Sequence, residues 1–510
     1  MSISALIQNS LYISYQSVII SFVLFIFSKF VNAQYIEKNF TIFGVIRLFL
    51  GFSLVYSSLI YIFTLLYFLK FFSEMSVLYE NMWENFLNIE KNDLYIFNDL
   101  INLNVLTKFK MYSAYTVFTF DLFGLIFLIL AYFIGLISLL TVDTKFYFKK
   151  IKFWGVIHLL CIIVTYYVFT NNIFLFFFFY ELLLIPSFLF VYFVSAYRRS
   201  THASLFFLIW TQAGSFLVLL AFAYMLQLSG KMNFNELKLV NWTDLEFFYI
   251  YMLLFLGFGF KVPIYPTHYW LTKTHVEAPT GFSIFLSGFL VKSAVYGFYK
   301  TSNILGGSFY TILTSVICIL GVLDSSLKMW HQTDLKKLVA YGTVQEMNLI
   351  YLAFVFGDGF FLIGGVLFCI THGFLSGLFF YLVDCIQRRY NSRSSFELSG
   401  IMHEAPYLAF CICIGVILYA GLPGTLKFVS EVYIFMGLFD VFPLSSVFLI
   451  FGANFFGILG FAKCWFNAVF GVYIPWGEYV VSDLTRKEFL IIGLCVFFLF
   501  FFQISLNFSL

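Results

Sequence analysis

The sequence predicts an all-α polytopic membrane protein of about fourteen transmembrane helices. It predicts two inverted five-helix repeats, with helices seven and twelve discontinuous. Three observations lead there. Of the 510 residues, 62% are hydrophobic and only 11% are charged, where a soluble domain carries about 25% charged residues. Phe alone fills 75 positions, and mean hydropathy is +0.93. No soluble interior of this size hides that much apolar surface. A water-soluble enzyme, a disordered chain and a secreted disulfide scaffold are thereby excluded.

A membrane-crossing helix needs about 20 mostly apolar residues. Such stretches run over approximately 11–30, 41–70, 117–140, 153–170, 172–194, 204–228, 247–271, 281–300, 308–327, 335–356, 360–384, 405–436, 443–470 and 489–509. They lack the period-2 alternation of a membrane β-barrel and are too long for its strands. The organisation expected is 1–116 (two helices and a polar capping loop), 117–152 (a third helix and a basic loop), 153–300 (first repeat), 301–470 (second repeat) and 471–510 (last helix). Loops after odd-numbered spans carry Lys145, Lys149, Lys150, Lys152, Arg198, Arg199, Lys328, Lys336, Lys337, Arg388, Arg389 and Arg393, and together sum to about +7 by the positive-inside count. Loops after even-numbered spans are net acidic. Both termini are therefore expected on the side opposite the basic loops. The N-terminus has no basic region or small-residue cleavage site, so insertion without cleavage is expected.

The eight Cys lie in apolar stretches with no CxxC or Cys/His spacing for zinc or an iron–sulfur cluster. A net charge of +3 does not point to nucleic acid as a partner. Charges within the spans are more informative, because an ionisable side chain near the bilayer centre is costly and marks function. Arg47, Asp121, Lys300 and Lys463 lie near span ends and are read as snorkelling to the interface. Glu181, Lys261, Lys292 and Glu431 sit too deep for that, and His372 joins them. Two of these adjoin a break: Lys261 precedes Pro263 and Pro266, and Glu431 follows Leu422-Pro423-Gly424. Irregular backbone at membrane depth is tolerated inside protein or beside a wet cavity. Paired breaks in two halves indicate an inverted-repeat transporter with its site near the midplane.

In a low-dielectric interior the neutral form of an amine is favoured, and a nearby carboxylate restores the charged form. Moving one charge thus loads or unloads the proton of its neighbour, and a coupled pair titrates as a unit. A pairing of Glu181 with Lys261 is expected, continued across the interior by Lys292, His372 and Glu431. There is no Gly-rich phosphate loop, no paired His at haem-ligand spacing and no catalytic triad. The chemistry expected is proton conduction.

The stretch GFKVPIYPTHYWLTKTHVEAPTGFSIFLSGFLVKSAVYG, ending at Gly297, resembles the antiporter-like subunits of respiratory complex I. Within it lie Lys261-Val-Pro263, His268-Tyr-Trp270-Leu271, His275-Val-Glu277-Ala278-Pro279 and Lys292-x4-Gly297. Similar matches are Tyr180-Glu181-x3-Ile185-Pro186, Gln332-Thr-Asp334-Leu335-Lys336-Lys337, Thr371-His372-Gly373 and Leu422-Pro423-Gly424-Thr425-x5-Glu431. The resemblance covers about 117–470. Glu431 stands where the paralogous subunits 2 and 5 carry Lys.

That resemblance implies a Glu181–Lys261 ion pair controlling the channel, Lys292 and His372 as relay, and Glu431 as terminal exchange residue. It implies no cofactor in this chain, with NAD, FMN, iron–sulfur clusters and ubiquinone handled by other subunits. Partners implied are the other membrane-arm subunits, including subunits 2 and 5, together with accessory subunits and lipids. A multisubunit cation/proton antiporter is the alternative reading. Two residues depart from the pattern. The family has His in AYSSVSHM, whereas AYGTVQEM places Glu346 there, a candidate substitute in the relay. Lys427 is also outside the pattern; its i, i+4 spacing would suit an ion pair with Glu431 on one helix face, but the helix break beside them counts against that geometry. The Phe-, Tyr- and Ile-rich composition points to an AT-rich gene and, with the missing presequence, to a mitochondrial inner-membrane location with termini toward the intermembrane space; an AT-rich bacterium is the alternative source.

Overall fold

A computed structural model describes residues 122–141, 147–194, 198–305, 311–357, 359–472 and 482–507. The first two expected spans, the 72–116 stretch, Arg47 and Asp121 lie outside the described residues. Helix occupies every expected span from the third onward. The third and fourth are α1 (Leu122–Leu140) and α2 (Tyr147–Phe169). The fifth is split into α3 (Ile173–Leu182) and α4 (Leu184–Val194), and the sixth is α5 (Arg198–Ser229). The seventh comprises α6 (Asp244–Lys261) and α7 (Tyr269–Glu277). In the eighth, a π-helical turn at Leu286–Leu290 separates α8 (Thr280–Phe285) from α9 (Val291–Leu305). The ninth to eleventh are α10 (Thr311–Met329), α11 (Leu335–Phe356) and α12 (Gly359–Tyr390). The twelfth comprises α13 (Pro406–Tyr419) and α14 (Leu426–Val441). A second π-helical turn, Phe451–Gly457, joins α15 (Pro443–Ile450) to α16 (Ile458–Phe470) in the thirteenth, and α17 (Arg486–Asn507) is the last.

Local chemistry sets these boundaries. The short division after α2 is made by Asn172, whose side chain accepts from Phe174 N at 2.9 Å and Leu175 N at 3.4 Å, satisfying amides that a helix start leaves open. Thr243 and Glu246 form a capping box at α6, and Asp334 caps α11 through Lys336 N and Lys337 N. The seventh span stops at Lys261, two residues before Pro263. The twelfth stops at Tyr419, and its gap holds Gly421 (φ 68°) and Gly424 (φ 99°), conformations that side chains disfavour. Each repeat thus has a broken span followed by one with a π-helical turn.

Eight helical stretches among the described residues are long and apolar enough to cross a membrane. They differ in how much they are enclosed. The apolar windows of 280–305 and 335–356 are wholly buried, whereas that of 200–229 is 39% buried and leaves Ile209 and Phe216 exposed, as suits a lipid-facing helix. The enclosed spans carry Lys292 and Glu346, so the costly charges sit where polar partners replace water. Lys300, read as snorkelling, instead donates to the carbonyls of Val168 and Thr170, each at 2.8 Å.

At the basic end the cations meet acids: Lys328 with Asp324 at 2.6 Å, Arg393 with Asp334 at 2.8 Å, and Arg388 with Asp384. Lys336, tallied among the basic loops, is buried in the first turn of α11 and donates to Ala278 O at 2.6 Å. Arg389 holds the start of α17 by pairing with Glu488 at 2.6 Å and donating to Ser482 O and Asp483 O. Asp483 in turn accepts from Tyr407 N and Leu408 N at the start of α13. Breaking a buried pair by removing one partner costs about 3–5 kcal/mol. Arg389→Ala is therefore expected to lower the melting temperature of the detergent-solubilised protein, read by intrinsic fluorescence, and an unchanged transition would refute this anchoring role.

Candidate functional site

Lys261 is the last residue of α6, where the chain leaves helical register ahead of Pro263. It is 6% exposed, and its ammonium lies over the Tyr180 ring, 4.1 Å from the centroid, a cation–π contact. Glu181, the neighbour of that tyrosine, is in no ion pair with Lys261 within 4 Å. Its Oε2 accepts from Gln212 Nε2 at 2.7 Å. The break beyond Lys261 is fixed by Trp270 Nε1 donating to Phe260 O at 2.9 Å and by Asn348 Nδ2 donating to Pro263 O at 3.2 Å. A small cavity beside Lys261 is walled by Leu183, Ser187, Phe207, Trp270, Leu290 and Val291. It extends from the seventh span to the π-helical turn that precedes Lys292.

Lys292 is fully buried. The preceding π-helical turn bonds Val291 N to Leu286 O, a looser register than the α-helix. Two carbonyls of that turn receive the ammonium, Ser287 O at 2.9 Å and Gly288 O at 2.7 Å. Ser287 Oγ also meets Ser376 Oγ at 3.0 Å, which ties the turn to α12 one helical turn beyond His372.

The second half of the site is one connected cluster. His372 Nδ1 is 2.6 Å from Glu346 Oε2, and Lys427 Nζ is 2.5 Å from Glu346 Oε1. The same ammonium lies 3.6 Å from Glu431 Oε1, donates to Tyr419 O at 2.7 Å and sits 3.9 Å from the Tyr419 ring centroid. Exposures are 1% for His372, 4% for Glu346, 3% for Lys427 and 8% for Glu431. The break at 420–425 falls ahead of both Lys427 and Glu431, so they share one face of α14, capped by Thr425 Oγ1 accepting from Phe428 N. Gly421 packs against this pair, and a Cβ there would lie 3.3 Å from Glu431 Oε2.

The structure thus joins His372 directly to Glu346, and Glu346 to Glu431 through Lys427. Lys261 and Lys292 each have their own partners. Sequence reasoning noticed Lys427 and Tyr180 without giving either a role, and overlooked Gln212 and Tyr419. The signal for Lys427 was present, since it is a buried-type charge one turn from a break. Such an arrangement can hold and pass protons between side chains and water. Among the described residues no group of three or more His, Cys, Asp or Glu could hold a metal ion.

The family model for the transmembrane part of NADH:quinone oxidoreductase and Mrp antiporters matches residues 170–457, a segment containing Glu181, Lys261, Lys292, Glu346, His372, Lys427 and Glu431. The chain belongs to this family. Among relatives in the NADH:quinone oxidoreductase/Mrp antiporter family, NADH-ubiquinone oxidoreductase chain 4 of Paramecium tetraurelia is 43% identical over 379 residues, covering 74% of this chain and 80% of that protein. Two solved family assemblies share the fold. A chain of respiratory complex I from Thermus thermophilus aligns with a TM-score of 0.68 at 22% identity, over 75% of this chain and 81% of that one. A chain of the Mrp complex from a Dietzia species aligns with a TM-score of 0.66 at 19% identity, over 72% and 70%. The chain is a multi-pass membrane protein of that antiporter-like fold.

Proposed function

We propose that this chain is a membrane-arm subunit of a proton-translocating NADH:ubiquinone oxidoreductase. It moves protons through buried side chains while electrons pass from NADH to ubiquinone on other subunits. The observation that carries the proton role is the enclosed series of titratable groups on the seventh to twelfth spans, ending in the His372–Glu346–Lys427–Glu431 cluster. Buried ion pairs are poor glue, so a purely structural purpose does not account for so many. The likeness to the Paramecium chain 4 supports the redox assignment over the antiporter one.

In this reading Glu181 modulates Lys261, Lys292 receives the proton from the Lys261 side, and Glu431 exchanges it with the exit side. NAD, FMN, iron–sulfur clusters and ubiquinone belong to partner subunits, and the paralogous subunits 2 and 5 with accessory subunits and lipids flank this chain. The location is the mitochondrial inner membrane, with basic loops toward the matrix and termini toward the intermembrane space.

The test is to solubilise the native membrane gently, separate complexes by size, and locate this chain by mass spectrometry. Co-migration with NADH-oxidising activity and iron–sulfur subunits is expected. Co-migration with membrane subunits alone would overturn the redox half and leave a cation/proton antiporter.

A further inference from the structure

We propose that Lys427 is the mobile charge of a second carboxylate–lysine switch, and that proton release at Glu431 depends on its movement between Glu346 and Glu431. The proposal rests on the proton-pumping reading and adds a positioning residue to it. The repeat relation gives the first argument. Spans five apart correspond, so the tenth answers the fifth and the twelfth the seventh. Glu181 on the fifth span and Lys261 at the break of the seventh are answered by Glu346 on the tenth and Lys427 beside the break of the twelfth. The chain that has a carboxylate in place of the pattern's histidine also has a lysine placed to meet it.

Geometry gives the second argument. The pair in the second repeat is closed at 2.5 Å, while in the first Lys261 rests on Tyr180 and Glu181 on Gln212. Glu346 divides its oxygens, Oε1 to Lys427 and Oε2 to His372 Nδ1. The other imidazole nitrogen, His372 Nε2, is buried and has no hydrogen-bond partner. Lys427 stands between two carboxylates on its own and a facing helix, 2.5 Å from one and 3.6 Å from the other. A turn of the side chain, with no movement of the backbone, exchanges them.

The cycle follows from charge balance. A proton taken up at His372 Nε2 makes an imidazolium, whose Nδ1–H neutralises Glu346. Lys427 is then drawn to Glu431, which is favoured as the carboxylate, and the Glu431 proton leaves on the exit side. The imidazolium gives its Nδ1 proton to Glu346. Water carries that proton from Glu346 to Glu431, and Lys427 returns to Glu346. Left as the Nε2–H tautomer, the imidazole is reset by water-mediated return of its proton to Nδ1, after which one proton has entered at His372 and one has left from Glu431. Lys427 keeps its own proton throughout, and no electron moves.

The test must separate a switch from a static brace. Exchanging the pair, Glu346→Lys with Lys427→Glu, preserves the ion pair but sets a cation against His372 and a carboxylate against Glu431. Neutralising it, Glu346→Gln with Lys427→Gln, leaves neither charge unpaired, the condition that makes loss of one partner so destabilising. Both double variants, in the assembled complex in sealed vesicles, are expected to oxidise NADH with a reduced ratio of protons moved per electron. A brace predicts the native ratio in the exchanged pair, and that result overturns the proposal. Failure of the neutral pair to assemble also overturns it, because the pair then serves folding. Glu431→Gln in the same assay keeps the two levels apart: native pumping there undermines the proton-exit reading itself. Lost pumping there beside native pumping in both pair variants removes only the switch.

Discussion

Glu431→Ala is expected to abolish proton movement through this subunit, and Lys261→Ala is expected to do the same from the other end. A positioned acid–base group is commonly worth on the order of 100-fold or more in rate, and here each residue is its helix's contribution at a point where the backbone is broken. Glu431 is 8% exposed and faces Lys427 at 3.6 Å. Without it the ammonium has no second carboxylate to meet, and a proton arriving at Glu346 has no acceptor on the exit side. Lys261 is the buried amine at the end of α6 and borders the cavity that reaches Leu290 and Val291. Alanine there removes the charge and enlarges an apolar void that conducts nothing. With tight coupling, NADH oxidation on the partner subunits slows as well. The measurement is acidification of sealed vesicles per electron taken from NADH, and the wild-type ratio in either variant would sink the relay assignment.

The fold was legible because a bilayer imposes long apolar runs and because prolines, glycines and charges punctuate them. Helix α11 fills the expected 335–356 span, starting at the Asp334 cap and ending at Gly357 in a left-handed conformation (φ 67°). The π-helical turns were not legible. Nothing in Leu-Ser-Gly-Phe-Leu distinguishes it from ordinary helix, and the turn becomes visible only once Lys292 is seen taking two of its carbonyls.

The deep charges stood out for a physical reason, since Glu181, Lys261, Lys292 and Glu431 interrupt otherwise apolar spans too far from their ends to snorkel. Their partners did not stand out. Glu346 meets Lys427 from 81 positions away and His372 from 26 positions away, so pairing is decided by which helices face each other. Charge chemistry and the family resemblance paired Glu181 with Lys261 in expectation, whereas the carboxylate accepts from a neighbour on the sixth span, Gln212. The i, i+4 spacing of Lys427 and Glu431 offered a pair that the nearby break argued against; the break falls ahead of both, so they share a helix face and meet at 3.6 Å.

Lys292→Arg is expected to block proton transfer while retaining positive charge, which makes it a stricter test than removal of the side chain. Arg stays protonated in proteins, so a relay that needs the residue to give up its proton stops, whereas a role limited to holding the π-helical turn survives. The site bears on the outcome in a second way. Lys292 is 0% exposed and its compact ammonium fits between Ser287 O and Gly288 O at 2.9 and 2.7 Å. A planar guanidinium is bulkier, and overpacking a close-fitted interior costs about 1–3 kcal/mol. Reduced amounts of assembled complex are therefore expected alongside lost pumping, and the proton-to-electron ratio must be measured per assembled complex. Lys292→Met removes the charge at similar length and is expected to assemble better while pumping no more. Should the Arg variant pump at the native ratio, Lys292 acts as a fixed charge, and the proton must pass from the Lys261 cavity to His372 through water instead.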